Sequence, residues 1–125
     1  MGQEHLIDSN VIIDFFNGSL PEAGRKFLSA IKPVISIITQ IEIFGSKHIT
    51  PEEYDKLKRF IDIATIYPID EGVALATIDL RLQYSIKLPD ALIAATAIHY
   101  DLKLVTRNVS DFKLKNLDII NPYKI

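Results

Sequence analysis

The sequence predicts an α/β fold: a mostly parallel sheet covered by helices on both faces. Two observations predict it. Short apolar, β-branched runs alternate with segments of helical periodicity along the whole chain, and the commonest way to connect successive strands through helices is a right-handed crossover to a parallel neighbour. The third is size. With 125 residues, 48% of them hydrophobic and 24% charged, the chain suits one compact domain spanning 1–125 and is far from the apolar-poor make-up of disordered chains.

The elements follow in order. Glu4 to Asp8 reads as a short buried strand, and Ser9 offers an N-cap for a helix through Val11, Ile12, Ile13, Phe15 and Phe16 that ends at Asn17-Gly18. A second helix is predicted from Pro21 to about Ile31, with Ala23, Phe27, Leu28 and Ile31 at helical spacing. Val34 to Ile37 is the second strand; Thr39 to Phe44 has helix-start character and stops near Gly45. Thr50-Pro51-Glu52-Glu53 is a capping box with proline at the first helical position, and its helix extends to about Ile63. Thr65 to Ile69 is the third strand. Asp70 caps a long helix with Val73, Leu75, Ala76, Ile78, Leu80 and Leu82, reaching near Ile86. Leu88-Pro89-Asp90 restarts helix, and Ala91 to Tyr100 is apolar on nearly every side, the mark of a central element. Lys103 to Thr106 is the fourth strand, a loop carries Asn108 and Asp111, and Leu117 to Ile120 is the last strand before Pro122.

Composition excludes several classes of function. There are no cysteines, so disulfides and thiolate metal sites are out, and a cytoplasmic address is the default. No signal-like or membrane-spanning run is present, and the Met1-Gly2 start fails the myristoylation pattern because Leu6 stands where Ser or Thr is required. The formal charge of −2 gives no compositional support for binding a polyanion. The densest basic stretches, Lys56-Leu57-Lys58-Arg59 and Lys113-Leu114-Lys115, read first as solvated faces. His5, His48 and His99 are not assigned as ligands.

The chemistry concentrates in carboxylates. Asp8 follows strand one, Glu42 follows strand two, Asp90 opens the apolar helix and Asp111 follows strand four, all places where parallel sheets hold ligands beyond their carboxyl ends. Carboxylates gathered at one edge must hold protons at raised pKa or bind a cation, and an all-oxygen donor set points to Mg²⁺ or Mn²⁺. Such an ion activates water and neutralises charge on a phosphodiester, and no Cys, Ser–His pair or glycine-rich phosphate loop offers another route. Each residue has a structural reading beside the functional one. Asp8 can simply end a strand, Thr39-x-x-Glu42 is itself a capping box, Asp90 complements a helix dipole, and Asp111 fits a solvated loop.

At these residues the sequence resembles the PIN-domain ribonucleases, and in particular the VapC-like toxins of type II toxin–antitoxin pairs. The resemblance lies in Leu6-Ile7-Asp8-Ser9-Asn10-Val11-Ile12, Thr39-Gln40-Ile41-Glu42, Leu88-Pro89-Asp90 through Ala97, and Leu104-Val105-Thr106-Arg107-Asn108 through Phe112, in register over essentially the whole chain. It implies a PIN-like three-layer sandwich whose five-stranded parallel sheet is flanked by helices. It also implies an acidic pocket of Asp8, Glu42, Asp90 and Asp111 that binds Mg²⁺ or Mn²⁺ and cuts RNA through metal-activated water. Asn10 and Thr106 would orient the carboxylates, and Asn108 shares or neighbours the place of Asp111. The implied partners are an RNA substrate, a second copy of the chain, and a cognate antitoxin whose tail packs on the first helices and reaches the pocket; Phe15 or Phe16 would face outward for it, or both would be core. Two rivals stand beside this reading. A haloacid-dehalogenase-like phosphatase wants a second Asp where Asn10 stands, and a non-catalytic PIN-like module would bind RNA or protein without cutting.

Overall fold

The structure, a computed structural model, describes residues 4–125; the Met1-Gly2 start lies outside the described residues. Five strands form one sheet in the order β3-β2-β1-β4-β5, every pairing parallel: β1 (His5–Ile7), β2 (Val34–Ser36), β3 (Thr65–Tyr67), β4 (Lys103–Val105) and β5 (Ile119–Ile120). The strands are shorter than predicted: β1 to β4 give up the end of the run to a turn or a following helix, and β5 gives up its start, Leu117-Asp118. Alternation sets the register. Leu6, Val34 and Leu104, aligned across the three middle strands, point to one face, while Ile7, Ile35 and Val105 point to the other, and all six are buried. Both faces are therefore apolar, as a sheet covered twice requires.

One face is covered by α5 (Glu71–Gln83) and α6 (Leu88–His99), which pack against each other as a hairpin. Ala91, Ala94, Ala95 and Ala97 of α6 are buried, and their small side chains let this helix lie close to its neighbours. The other face carries α1 (Ser9–Asn17), α2 (Glu22–Ala30), α3 (Ile37–Phe44) and α4 (Pro51–Ile63), giving the expected three layers. Gly24, in the middle of α2, has a physical reason to lack a side chain: a Cβ there would lie 2.1 Å from the carbonyl oxygen of Pro122. Gly18 ends α1 at φ 83°, the left-handed conformation glycine adopts at least cost.

Four expectations need correction. Asp8, not Ser9, caps α1, its carboxylate accepting from the Ser9 amide. Likewise α3 starts at Ile37 because the Ser36 hydroxyl accepts from the Ile38 amide, so Thr39-x-x-Glu42 is no capping box and Glu42 sits well inside the helix. The loop after β4 holds a 3₁₀ turn, Val109–Phe112, anchored by buried Phe112. Finally, α5 stops at Gln83, and Leu75, Ile78 and Leu82, read as part of its apolar pattern, lie exposed. The remaining caps behave as predicted: Thr50 and Asp70 accept from the amides of Glu53 and Val73. Phe15 and Phe16 are neither core nor free. Both are half-buried, edge to face at 5.1 Å, and Phe16 meets Phe60 of α4 in the same way. No described helix is long and apolar enough to cross a membrane.

Candidate active site

The strand order places a switch point between β1 and β4, whose connections leave in opposite directions across the sheet, and a crevice at the carboxyl ends of such strands is the usual ligand site of open parallel sheets. Asp8 follows β1 directly and is buried, with 7% of its surface exposed. Its Oδ2 accepts a 2.8 Å hydrogen bond from the Thr106 hydroxyl, just past β4, and its Oδ1 accepts from the Ser9 amide at 2.9 Å. Thr106 is fully buried, and its oxygen accepts in turn from the Asn108 amide at 3.0 Å. Asp8 is thus clamped from both central strands.

Ser9, read from sequence only as a cap, turns its hydroxyl to Glu42 Oε1 at 3.2 Å and so ties α1 to α3. The signal for it was adjacency alone. Asp90 lies in the first turn of α6, and Asp111 sits on the 3₁₀ turn, where the Asn108 amide nitrogen donates to its Oδ2 at 2.6 Å. Asn108 is thus the hydrogen-bonding neighbour of Asp111. Asn10 is exposed on α1, and among the described residues no hydrogen bond joins it to a carboxylate.

The four carboxylates feel one another. Burial pushes the Asp8 carboxyl above the usual range, partly offset by the Thr106 and Ser9 hydrogen bonds. Glu42 is raised by burial, then by the charges of Asp8 and Asp90, against the Ser9 hydrogen bond. Asp90 is raised by burial, then by Asp8 and Asp111, against nearby Lys87. This chain of repulsion links all the predicted acidic residues, and no salt bridge among the described residues relieves it. A hard divalent cation fits the donor set, which offers oxygen ligands only, and the excess of negative charge there, which no salt bridge among the described residues offsets. The cage itself is not preformed, since no group of three or more His, Asp or Glu side chains among the described residues is disposed to hold an ion as it stands.

A second polar cluster borders the site. The Tyr123 hydroxyl donates to Asp14, Arg107 lies 4.0 Å from the same carboxylate, and its guanidinium stacks 4.9 Å over the Tyr123 ring. Sequence reasoning missed it because its members are spread from α1 to the C-terminal turn. Burial, then Asp14 and least of all the Asp8 charge, raise the Tyr123 phenol pKa against the pull of Arg107.

The model of the PIN domain family matches residues 5–116. Among solved structures, a chain of a toxin–antitoxin complex from Klebsiella pneumoniae is 33% identical over 98% of this chain and 100% of that one, with a TM-score of 0.79. A chain of DNA-bound VapBC from Salmonella typhimurium is 26% identical over 97% of this chain and 99% of its own, also at 0.79. A chain of FitAcB from Neisseria gonorrhoeae superposes at 0.82 with 24% identity over 97% and 99%, a likeness of fold alone. No curated protein matches significantly.

Proposed function

The chain belongs to the PIN-domain family, and from that premise we propose that it is a Mg²⁺- or Mn²⁺-dependent endoribonuclease, the toxin of a toxin–antitoxin pair acting in the cytoplasm. The observation that carries this reading is geometric: Asp8 is buried at the switch point and clamped by Thr106 and Ser9, Ser9 also holds Glu42, and the charges of Asp8 and Asp111 reach Asp90, whose carboxyl is raised first by burial. Clustering like charges costs stability, and natural folds keep such a cost where function needs it. The four side chains would hold the cation, which when bound neutralises charge on a phosphodiester and makes water more acidic.

The chain's own groups supply the rest. Thr106 and Ser9 fix the Asp8 carboxylate, the Ser9 hydroxyl holds Glu42 by Oε1, and Asn108 holds Asp111, the outer contacts that acidic metal sites rely on for aim.

The partner readings rest on apolar surface. Leu75, Ile78 and Leu82 form an exposed stripe at i, i+3 and i+7 along α5, suited to a second copy of the chain. Phe15 and Phe16 floor two shallow grooves on either side of α1, the first rimmed by Arg25 and Lys26 and the second by Lys56 and Arg59, suited to an amphipathic antitoxin segment carrying acidic residues.

The test is to incubate the partner-free protein with structured and single-stranded RNAs in Mg²⁺, Mn²⁺ or EDTA, beside Asp8→Asn and Asp90→Asn. Cation-dependent cutting that both substitutions abolish is the expected result. Cutting that survives both substitutions, or a protein that neither cuts nor binds the cation, overturns the reading and favours a module that binds without cutting.

A further inference from the structure

The acidic cluster does not end at the carboxylates. A cleft of about 340 Å³ opens beside it and shares two of its members, Asp90 and Asp111. Its other walls have the opposite character. Lys87 and Lys113 line it, with the Ser110 hydroxyl and the half-buried Tyr84 ring. Lys113 belongs to the basic stretch that read in sequence as a solvated face, whereas the structure brings it together with Lys87 in the lining of one cleft. Lys87 is also the N-cap residue of α6 and spends no side-chain hydrogen bond on capping it.

We infer that this cleft is a nucleotide subsite: it takes one unpaired RNA nucleotide flanking the scissile bond, its phosphate between Lys87 and Lys113 and its base against Tyr84. The inference rests on the nuclease reading for its orientation and adds the substrate contact that the carboxylates cannot make. An all-anionic centre repels a polyanion, so the neighbouring phosphates must be held by cations placed next to it. The volume lies near the lower end of small-ligand pockets, about 300 Å³, which suits one nucleotide and excludes a duplex. A ring presented at a cleft wall is the usual platform for an unpaired base, and stacking is tolerant of base identity. The Tyr84 ring is held in place from behind by the α5 and α6 core and by the Lys115 amide, which donates to its hydroxyl at 3.3 Å.

The probes are a 5′-nucleoside monophosphate, followed residue by residue by NMR, and a labelled single-stranded RNA octamer, titrated at several salt concentrations. Both are used in EDTA, with the RNA checked by gel to be intact. The nucleotide should shift the amides of Ser85, Ser110 and Lys113. Lys87→Ala with Lys113→Ala should weaken octamer binding and flatten its salt slope by about 0.7, the value for one lost phosphate contact on a single strand. Tyr84→Leu should weaken binding at least about fivefold while Tyr84→Phe restores it, since stacking needs the ring and not the hydroxyl. Nucleotide shifts confined to the Lys56-Lys58-Arg59 face, or octamer affinity unchanged in the double lysine variant with its fold intact by NMR, overturn the subsite. The two readings fail separately. Cleft binding by a protein that never cuts RNA sinks the nuclease alone; full cutting by the lysine and Tyr84→Leu variants sinks the subsite alone.

Discussion

Thr106→Val removes one oxygen atom at nearly constant volume from the buried centre of the site. Thr106 has no exposed surface, donates to Asp8 Oδ2 at 2.8 Å and accepts from the Asn108 amide at 3.0 Å. A hydrogen bond to a charged acceptor contributes about 1.5–3 kcal/mol and one from a backbone amide about 0.5–1.5 kcal/mol, so the variant should lose about 2–4 kcal/mol at neutral pH. For a chain of this size that is a fall in Tm of roughly 10 °C. The pH dependence separates this cause from loose packing. The Thr106 hydrogen bond lowers the Asp8 pKa against the upward push of burial, so its stabilisation is present when Asp8 is ionised and fades as pH falls through the raised Asp8 pKa. Melts of wild type, Thr106→Val and Thr106→Ser, followed by circular dichroism between pH 4.5 and 7.5, should show a deficit for Val that shrinks in acid and is largely absent for Ser. An equal deficit at both pH values, or none at neutral pH, would refute the claim that this hydroxyl supports the Asp8 charge.

Other perturbations follow from single contacts. Thr39 is buried with no partner for its hydroxyl, so Thr39→Val should raise stability by about 1 kcal/mol, read as the midpoint of urea unfolding. Gly24→Ala should destabilise by about 1–3 kcal/mol in the same assay despite its better helix propensity, because the new methyl meets the Pro122 carbonyl oxygen. Leu82→Glu should convert a dimer to a monomer in sedimentation if a second copy covers the α5 stripe; a monomeric wild type removes that role. Mg²⁺ or Mn²⁺ should raise the Tm of the wild type and leave that of Asp8→Asn almost unchanged, whether or not RNA is cut.

The fold was legible because the sheet announces itself twice. Leu6-Ile7, Val34-Ile35 and Leu104-Val105 each place one apolar side chain on either face, a pattern that only a doubly covered sheet satisfies. The long helices were equally plain, since Thr50 and Asp70 sit where caps are wanted. What misled was chemistry that serves two ends. Asp8 is both helix cap and candidate site carboxylate, so Ser9 looked like the cap; Ser36 hides in a β-branched run, so Thr39 looked like the start of α3. The α5 pattern predicted burial for Leu75, Ile78 and Leu82 because periodicity counts apolar residues without knowing which face another element covers.

Of the candidate site, spacing pointed to the carboxylates but not to what holds them, for a physical reason. A carboxylate at a strand end is a local feature, whereas the Thr106 to Asp8 and Ser9 to Glu42 contacts join residues 98 and 33 positions apart and exist only once the sheet has formed. The balance of charge is also a property of the folded chain. As pH rises through the raised pKa values of Asp8, Glu42 and Asp90, the folded state must give up protons it holds more tightly than the unfolded one, so these groups lower stability toward neutral pH. That sign sets the conditions for the proposed cofactor. A divalent ion binds most strongly where the carboxylates are ionised and the apo fold is most strained by them, so its stabilisation should grow across the same pH interval in which the apo protein loses stability. A cation-induced rise in Tm that is flat from pH 4.5 to 7.5 would place the ion elsewhere.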